Sequence, residues 1–223
     1  MKACTLAIAL CLCINIARAA DGDTYVYRIS NGYNSEVRGN INYRVEKADA
    51  DRIEVAVTTD TPSAGSARIE IYTKNGNWLR RPLASHDQLR EFEFAQPLPV
   101  YVPPAGADGS WSVRVDALEP STGRRNSVRI DGEVLGPERV TVPAGTFDTI
   151  RIKRWTYVGD WDGFLRETRI EETDWYAPAL GRSVKTDSKS SWQDSSRCMR
   201  GGCPWFRGDW NIVELGEIGA VKR

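Results

Sequence analysis

R-I-E-V-A-V-T at residues 52–58, followed by A-R-I-E-I-Y-T-K-N-G-N-W-L-R-R at residues 67–81, decides the fold class. In the first run Ile53, Val55 and Val57 alternate with polar partners; in the second, Ile69 and Ile71 share a face. Asn75-Gly76 then gives a strong hairpin signal into residues 77–81. Period-two patterning broken by Gly, Pro or Asn pairs belongs to antiparallel strands, and it continues in both directions. Upstream, residues 24–29 and 36–46 read as strands separated by Asn31-Gly32. Downstream come residues 89–95, a Pro-rich connection through Pro97, Pro99, Pro103 and Pro104, and then 110–117 and 126–135. Pro137 is expected to interrupt before 139–142, and Pro143-Ala144-Gly145 turns the chain into 146–157. Residues 166–174, 182–192 and 211–218 complete the set, and the one weak helical candidate is 85–90. In residues 146–157 the alternation slips: Ile150 and Ile152 fall on even positions, Trp155 and Tyr157 on odd ones, so either a bulge falls near Lys153-Arg154, the preferred account, or both faces of the strand are covered. About a dozen strands must wrap or stack to avoid long open edges. The expected fold is all-β, a strongly curved, mostly antiparallel sheet, barrel-like or half-barrel, with a two-layer sandwich as second choice.

The chain has 223 residues, 27% charged and 41% hydrophobic, an ordinary globular composition that excludes collagen-like, coiled-coil and multispan helical readings. Met1-Lys2, an apolar run over residues 3–17 and Ala17-Arg18-Ala19 form a secretory signal, with cleavage after Ala19 or Ala20. The run is too short to span a bilayer, no later stretch is longer, and Leu10 and Leu12 before Cys11 and Cys13 do not suit a lipid-attachment site. The division is therefore a signal peptide over 1–19 and one β-rich domain over 20–223, expected in the periplasm with no transmembrane span. Lysine plus arginine equals aspartate plus glutamate at 30 each; Lys2 and Arg18 leave with the leader, so the mature chain is two charges to the acidic side. Nucleic acid, which needs a basic excess, is excluded as the main partner.

Cys198 and Cys203 are the only cysteines after the leader, and with Gly201-Gly202 between them in an oxidising compartment they are expected to form a disulfide. C-x4-C without a second ligand pair, and with the sole His86 far away, does not make a zinc site. No metal and no cofactor is expected. Catalytic patterns fail in turn. His86 has no nucleophile elbow to serve, and Glu171-Glu172 point to opposite faces of a strand and cannot act together on a glycosidic bond. In Asp160-Trp161-Asp162-Gly163 the glycine comes too early for a calcium loop.

At Val140–Phe147 the chain reads V-T-V-P-A-G-T-F and at Trp175–Lys185 W-Y-A-P-A-L-G-R-S-V-K. In this pair it resembles a group of uncharacterised periplasmic and outer-membrane-associated β-rich proteins of Gram-negative bacteria marked by VPAGTF and WYAPxxG. The motifs cover under a quarter of the chain, and Gly76–Arg81 and Arg207–Trp210 are compatible with them. The resemblance implies a curved antiparallel sheet, loosely similar to the half-barrels of lipoprotein carriers, with no assigned activity and no catalytic residue. The chain departs from those carriers in lacking helices to plug the barrel.

Six of the eight tryptophans fall after residue 150. Trp155, Tyr157, Trp161, Trp175 and Trp205 are the candidate ligand-binding residues, Trp161 and Trp205 because both sit in expected turns. The functional expectation is a non-enzymatic envelope protein, a partner-binding or scaffolding module. The alternative is an apolar small-molecule or lipid binder using the concavity of the sheet; a glycan-active enzyme ranks below both.

Overall fold

Alternation of period two shapes the chain into twelve antiparallel strands in a computed structural model, which describes residues 19–60, 67–85, 88–103, 105–106, 108–160, 166–193, 198 and 202–219. They are β1 (Thr24–Asn31), β2 (Val37–Ala48), β3 (Arg52–Thr59), β4 (Arg68–Thr73), β5 (Trp78–Ser85), β6 (Gln88–Leu98), β7 (Ser110–Glu119), β8 (Arg124–Val142), β9 (Gly145–Asp160), β10 (Arg166–Ala177), β11 (Arg182–Gln193) and β12 (Trp205–Gly219). Each strand pairs with its sequence neighbours, and β1 pairs with β12, so the sheet closes into an up-and-down barrel. Closure removes the edges that an open sheet of this size would expose. The barrel alternative is thus the correct one, and closed rather than half-open. Residues 1–18 of the expected 1–19 leader lie outside the described residues.

Inside, one apolar cluster joins Phe92, Leu98, Trp111, Val115, Val128, Ile130, Ile152 and Val158, and a second gathers Tyr25, Tyr27, Val45, Val184 and Leu215. Most charged side chains face outward, with Glu70, Glu119, Arg154 and Asp174 buried among the exceptions. No helix among the described residues is long and apolar enough to cross a membrane.

Four expectations are corrected. The helical candidate at 85–90 fails in its described residues: Ser85 ends β5, Gln88 begins β6 and the two pair antiparallel, while 86 and 87 lie outside the described residues. Pro137 does not interrupt β8, which runs through it with Pro137 opposite Ile150. The register shift falls just before it, between Val134 and Gly136 (φ +116°), so the bulge lies on β8, while β9 pairs with β10 without any shift. The alternation slip in β9 instead fits the second account: Arg154 takes an inner position, and Trp155 and Tyr157 are half-buried on the outer face under cationic side chains. Finally, Trp205 is the first residue of β12, opposite Gln193, rather than part of a turn.

Both signature motifs have structural roles, and they meet. β9 pairs with β10 only as far as Ile150, so the rest of the β8–β9 hairpin projects past the barrel wall. Its tip folds onto β12, where the Ala144 amide donates to the Leu215 carbonyl at 3.1 Å. Val140, Val142 and Phe147 from the first motif pack there with Trp175, Ala177 and Leu180 from the second. Gly181, at φ +65°, closes the second motif against the β4–β5 turn. A Cβ there would lie 3.1 Å from the Lys74 carbonyl, and one on Gly76 would lie 2.7 Å from the Gly181 carbonyl. Tyr176 stacks on Tyr101 at 4.8 Å and donates to the Asn75 carbonyl at 3.3 Å, so these two turns clamp one rim of the barrel.

Candidate functional site

Even-numbered side chains of β9 point inward, and among Ile152, Thr156 and Val158 that row includes Arg154, only 1% exposed. Its guanidinium donates from Nε (3.0 Å) and Nη2 (2.8 Å) to Glu172 Oε2 and from Nη1 to Asp174 Oδ2. Glu172 and Asp174 are two apart on β10 and so share its inner face. Thr186 donates to the other oxygen of Asp174 at 2.6 Å. The Arg154 guanidinium also lies over the Trp78 and Tyr101 rings, 5.0 and 5.4 Å from their centroids. Burial pushes the Asp174 carboxyl up to about 6, against the pull of Arg154 and with a smaller push from Glu172.

A second polar group stands on β4. There Glu70, fully buried, accepts from Arg68 Nε at 2.8 Å and from the Tyr72 hydroxyl. Ile69 and Ile71 share a face, as expected, but it is the outer one, with Ile69 40% exposed, because the charged residue takes the inner position. Arg81 stacks on Trp78 at 4.0 Å, and Arg182 on Tyr25 at 3.7 Å. Burial raises Tyr43, Tyr72 and Tyr101 well above the ordinary phenol range. Such a lattice holds its carboxylates against guanidinium groups and hydroxyls rather than presenting them to a substrate. Sequence reasoning missed it. The signals were the β9 slip itself and a glutamate between two isoleucines.

The residues expected to bind a ligand are dispersed. Trp155 and Tyr157 occupy odd positions of β9 and lie half-buried on the outer face. Lys153 covers the Trp155 ring at 4.6 Å; Arg129 and Arg169 lie 4.0 and 5.4 Å from the Tyr157 centroid. Trp175 lies under the hairpin tip, with Lys185 at 5.5 Å from its ring. Trp205 is 45% exposed, two residues after Cys203. The Cys198–Cys203 disulfide is formed, with its Cα atoms 4.1 Å apart. Trp161 and His86 lie outside the described residues.

Two open grooves mark the outer face. One, of about 580 Å³, lies where β6 and β7 pair at only two positions, and is lined by Phe94, Ala95, Arg114, Asp116, Leu118 and Arg125 among others. The second, of about 340 Å³, crosses β10, β11 and β12 beside Tyr33, with Arg169, Lys189, Ser191, Arg207 and Trp210 on its walls.

With this geometry in view, the comparisons bear on architecture. The barrel is similar to the crystal structure of a provisionally assigned lipoprotein from Parabacteroides distasonis, at TM-score 0.55 and 14% identity over 92% of this chain and 98% of that one. It is also similar to a provisionally assigned exported protein with a YmcC-like fold from Bacteroides fragilis, at TM-score 0.50 and 12% identity over 91% and 98%. The likeness is one of fold. No protein-family model matches the sequence, and no curated protein matches it.

Proposed function

We propose that this chain is a non-catalytic extracytoplasmic binding module, a partner-binding or scaffolding barrel that works through its outer surface. The observation that carries this reading is the filled interior: Arg154, Glu70, Trp78, Phe92, Leu98 and Ile130 are all at most 1% exposed and occupy the space a lipid carrier would leave open. An apolar ligand would have to displace the Arg154–Glu172–Asp174 lattice, and breaking a buried charge pair is strongly unfavourable. The envelope location rests on the leader-like N-terminus and on exported structural neighbours.

Native mass spectrometry of the mature chain purified from the periplasm tests the choice. The expected result is an apo mass two protons below that of the reduced chain. A photo-crosslinking residue at Leu118, 37% exposed on a groove wall, should capture an envelope component, while one at Ile130 inside the barrel should not. A co-purified lipid with no crosslink at Leu118 would transfer the assignment to apolar-ligand binding.

A further inference from the structure

Cross-strand register places four arginines at one level of the outer face. Arg114 on β7 stands opposite Arg129 on β8, Arg129 opposite Tyr157 on β9, Tyr157 opposite Arg169 on β10, Arg169 opposite Ser191 on β11 and Ser191 opposite Arg207 on β12. This belt crosses six of the twelve strands, roughly 24 Å at a strand spacing of about 4.8 Å. The 580 Å³ groove holds Arg114 at one end, and the 340 Å³ groove holds Arg169 and Arg207 at the other. Lys189 adds a cation at the next level, over the Trp210 ring at 4.4 Å.

The belt is under-neutralised. Among the described residues, Arg129 alone of the four has a carboxylate within ion-pair distance, Asp131 at 3.4 Å, and Glu171 beside the belt is taken by Lys153 at 3.0 Å. Elsewhere on the barrel, exposed arginines are answered: Arg28 by Glu214, Arg44 by Glu46, Arg52 by Glu54 and Arg80 by Glu91 and Glu93. Like charges directly opposite on neighbouring strands, as Arg114 and Arg129 are, destabilise a sheet. Their other contacts are light: Arg129 and Arg169 lie over the Tyr157 ring, and Arg114 donates to the Ser127 hydroxyl at 2.9 Å. The Arg129 Nε is buried with no hydrogen-bond partner.

We infer that this belt is a binding strip for a linear acidic polysaccharide, the partner class that deepens the outer-surface reading on which this inference rests. Three features select that class. The strip follows half the circumference of a convex barrel, so a flexible chain can track it, whereas a flat membrane touches only a few strands at a time. It runs across the strands, and β7 to β12 are paired to one another beneath it. An acidic peptide lying along it therefore meets no strand edge for its backbone groups. A polysaccharide needs only what the strip presents: guanidinium forks for carboxylates and the Ser191 hydroxyl, at the belt's own level, for a sugar oxygen.

The test measures binding of the mature, disulfide-bonded chain to polygalacturonate, dextran, poly-L-glutamate and anionic phospholipid vesicles at low and physiological salt. Polygalacturonate should bind, with affinity falling as salt rises, and dextran should not. The triple variant Arg114→Gln/Arg169→Gln/Arg207→Gln should weaken binding about tenfold, the sum of three exposed charge contacts. Arg44→Gln/Arg52→Gln on the far side should leave it unchanged. The three Arg→Lys replacements should keep most of the affinity, and they serve if the Gln variant melts early. Three results would each overturn the inference: no binding to polygalacturonate, binding untouched by the triple variant, or tighter binding to polyglutamate or vesicles than to the polysaccharide. If polygalacturonate fails while Leu118 still crosslinks an envelope component, the outer-surface reading stands and the polysaccharide assignment alone falls.

Discussion

At the scale of single residues, the molecule is governed by what was admitted to its interior. Arg154→Met should destabilise by about 3–5 kcal/mol, because it strands Glu172 and Asp174 without a cation. Adding Glu172→Leu and Asp174→Leu should recover most of that loss, as read from urea melts; if the triple variant is no better than the single one, the lattice is not the source of the penalty. Asp174 also sets a pH dependence. Its carboxyl is raised on folding from 3.8 to about 6, so its contribution to stability is complete below about pH 4 and is lost as pH rises through 6. The Asp174 carboxyl resonance should titrate near pH 6, and a midpoint below 4 would show that Arg154 overrides burial. Glycines give a matched pair. A Cβ on Gly132 would meet the Trp111 ring at 2.1 Å, while one on Gly159 meets nothing within 4 Å. Gly132→Ala should cost about 1–3 kcal/mol and Gly159→Ala less than about 0.5. Sequence disclosed Arg154 and Glu70 only as breaks in an apolar pattern, since an isolated charge in a strand ordinarily marks the solvent side; the partners of Arg154 come from β10, and those of Glu70 from its own strand.

At the scale of elements, most strands were legible because Val, Ile, Phe and Trp recur at every second position between turn residues. Failures came where a strand tolerates what usually ends one. Pro137 stays in β8 because the Val134–Gly136 bulge precedes it and the hairpin beyond pairs only with itself. Residues 85–90 mimic a helix start because Ser85, Asp87 and Gln88 are polar and break the period-two pattern. The VPAGTF tip shows a motif acting as an element: it brings Phe147 onto the same buried cluster that Trp175 and Leu180 pack against. Phe147→Ala should lower the melting temperature and increase the fluorescence quenching of Trp175 by acrylamide, with the barrel intact by circular dichroism. Unchanged quenching would show that the tip does not shield Trp175. The disulfide is more local. Cys198→Ser/Cys203→Ser should cost about 2 kcal/mol or less, given the short loop it closes.

At the scale of the whole molecule, the all-β class followed from periodicity, but closure did not, since barrel and sandwich use the same local patterns. What decides between them is the pairing of β1 with β12, nearly two hundred residues apart, through contacts such as the Arg28–Glu214 ion pair at 3.2 Å. The candidate site was still less legible. Arg114, Arg129, Arg169 and Arg207 have no common spacing in sequence and line up only through five successive registers. The last strand also sets where the molecule can be held. Thr24 stands opposite Gly219, so the first and last strands leave the barrel at the same pole. A tether fused before Thr24 and one fused after Gly219 would suspend the protein the same way up, with its girdle of arginines at the same height above the anchor. The orientation of this barrel in an assembly is therefore indifferent to which end is tied down.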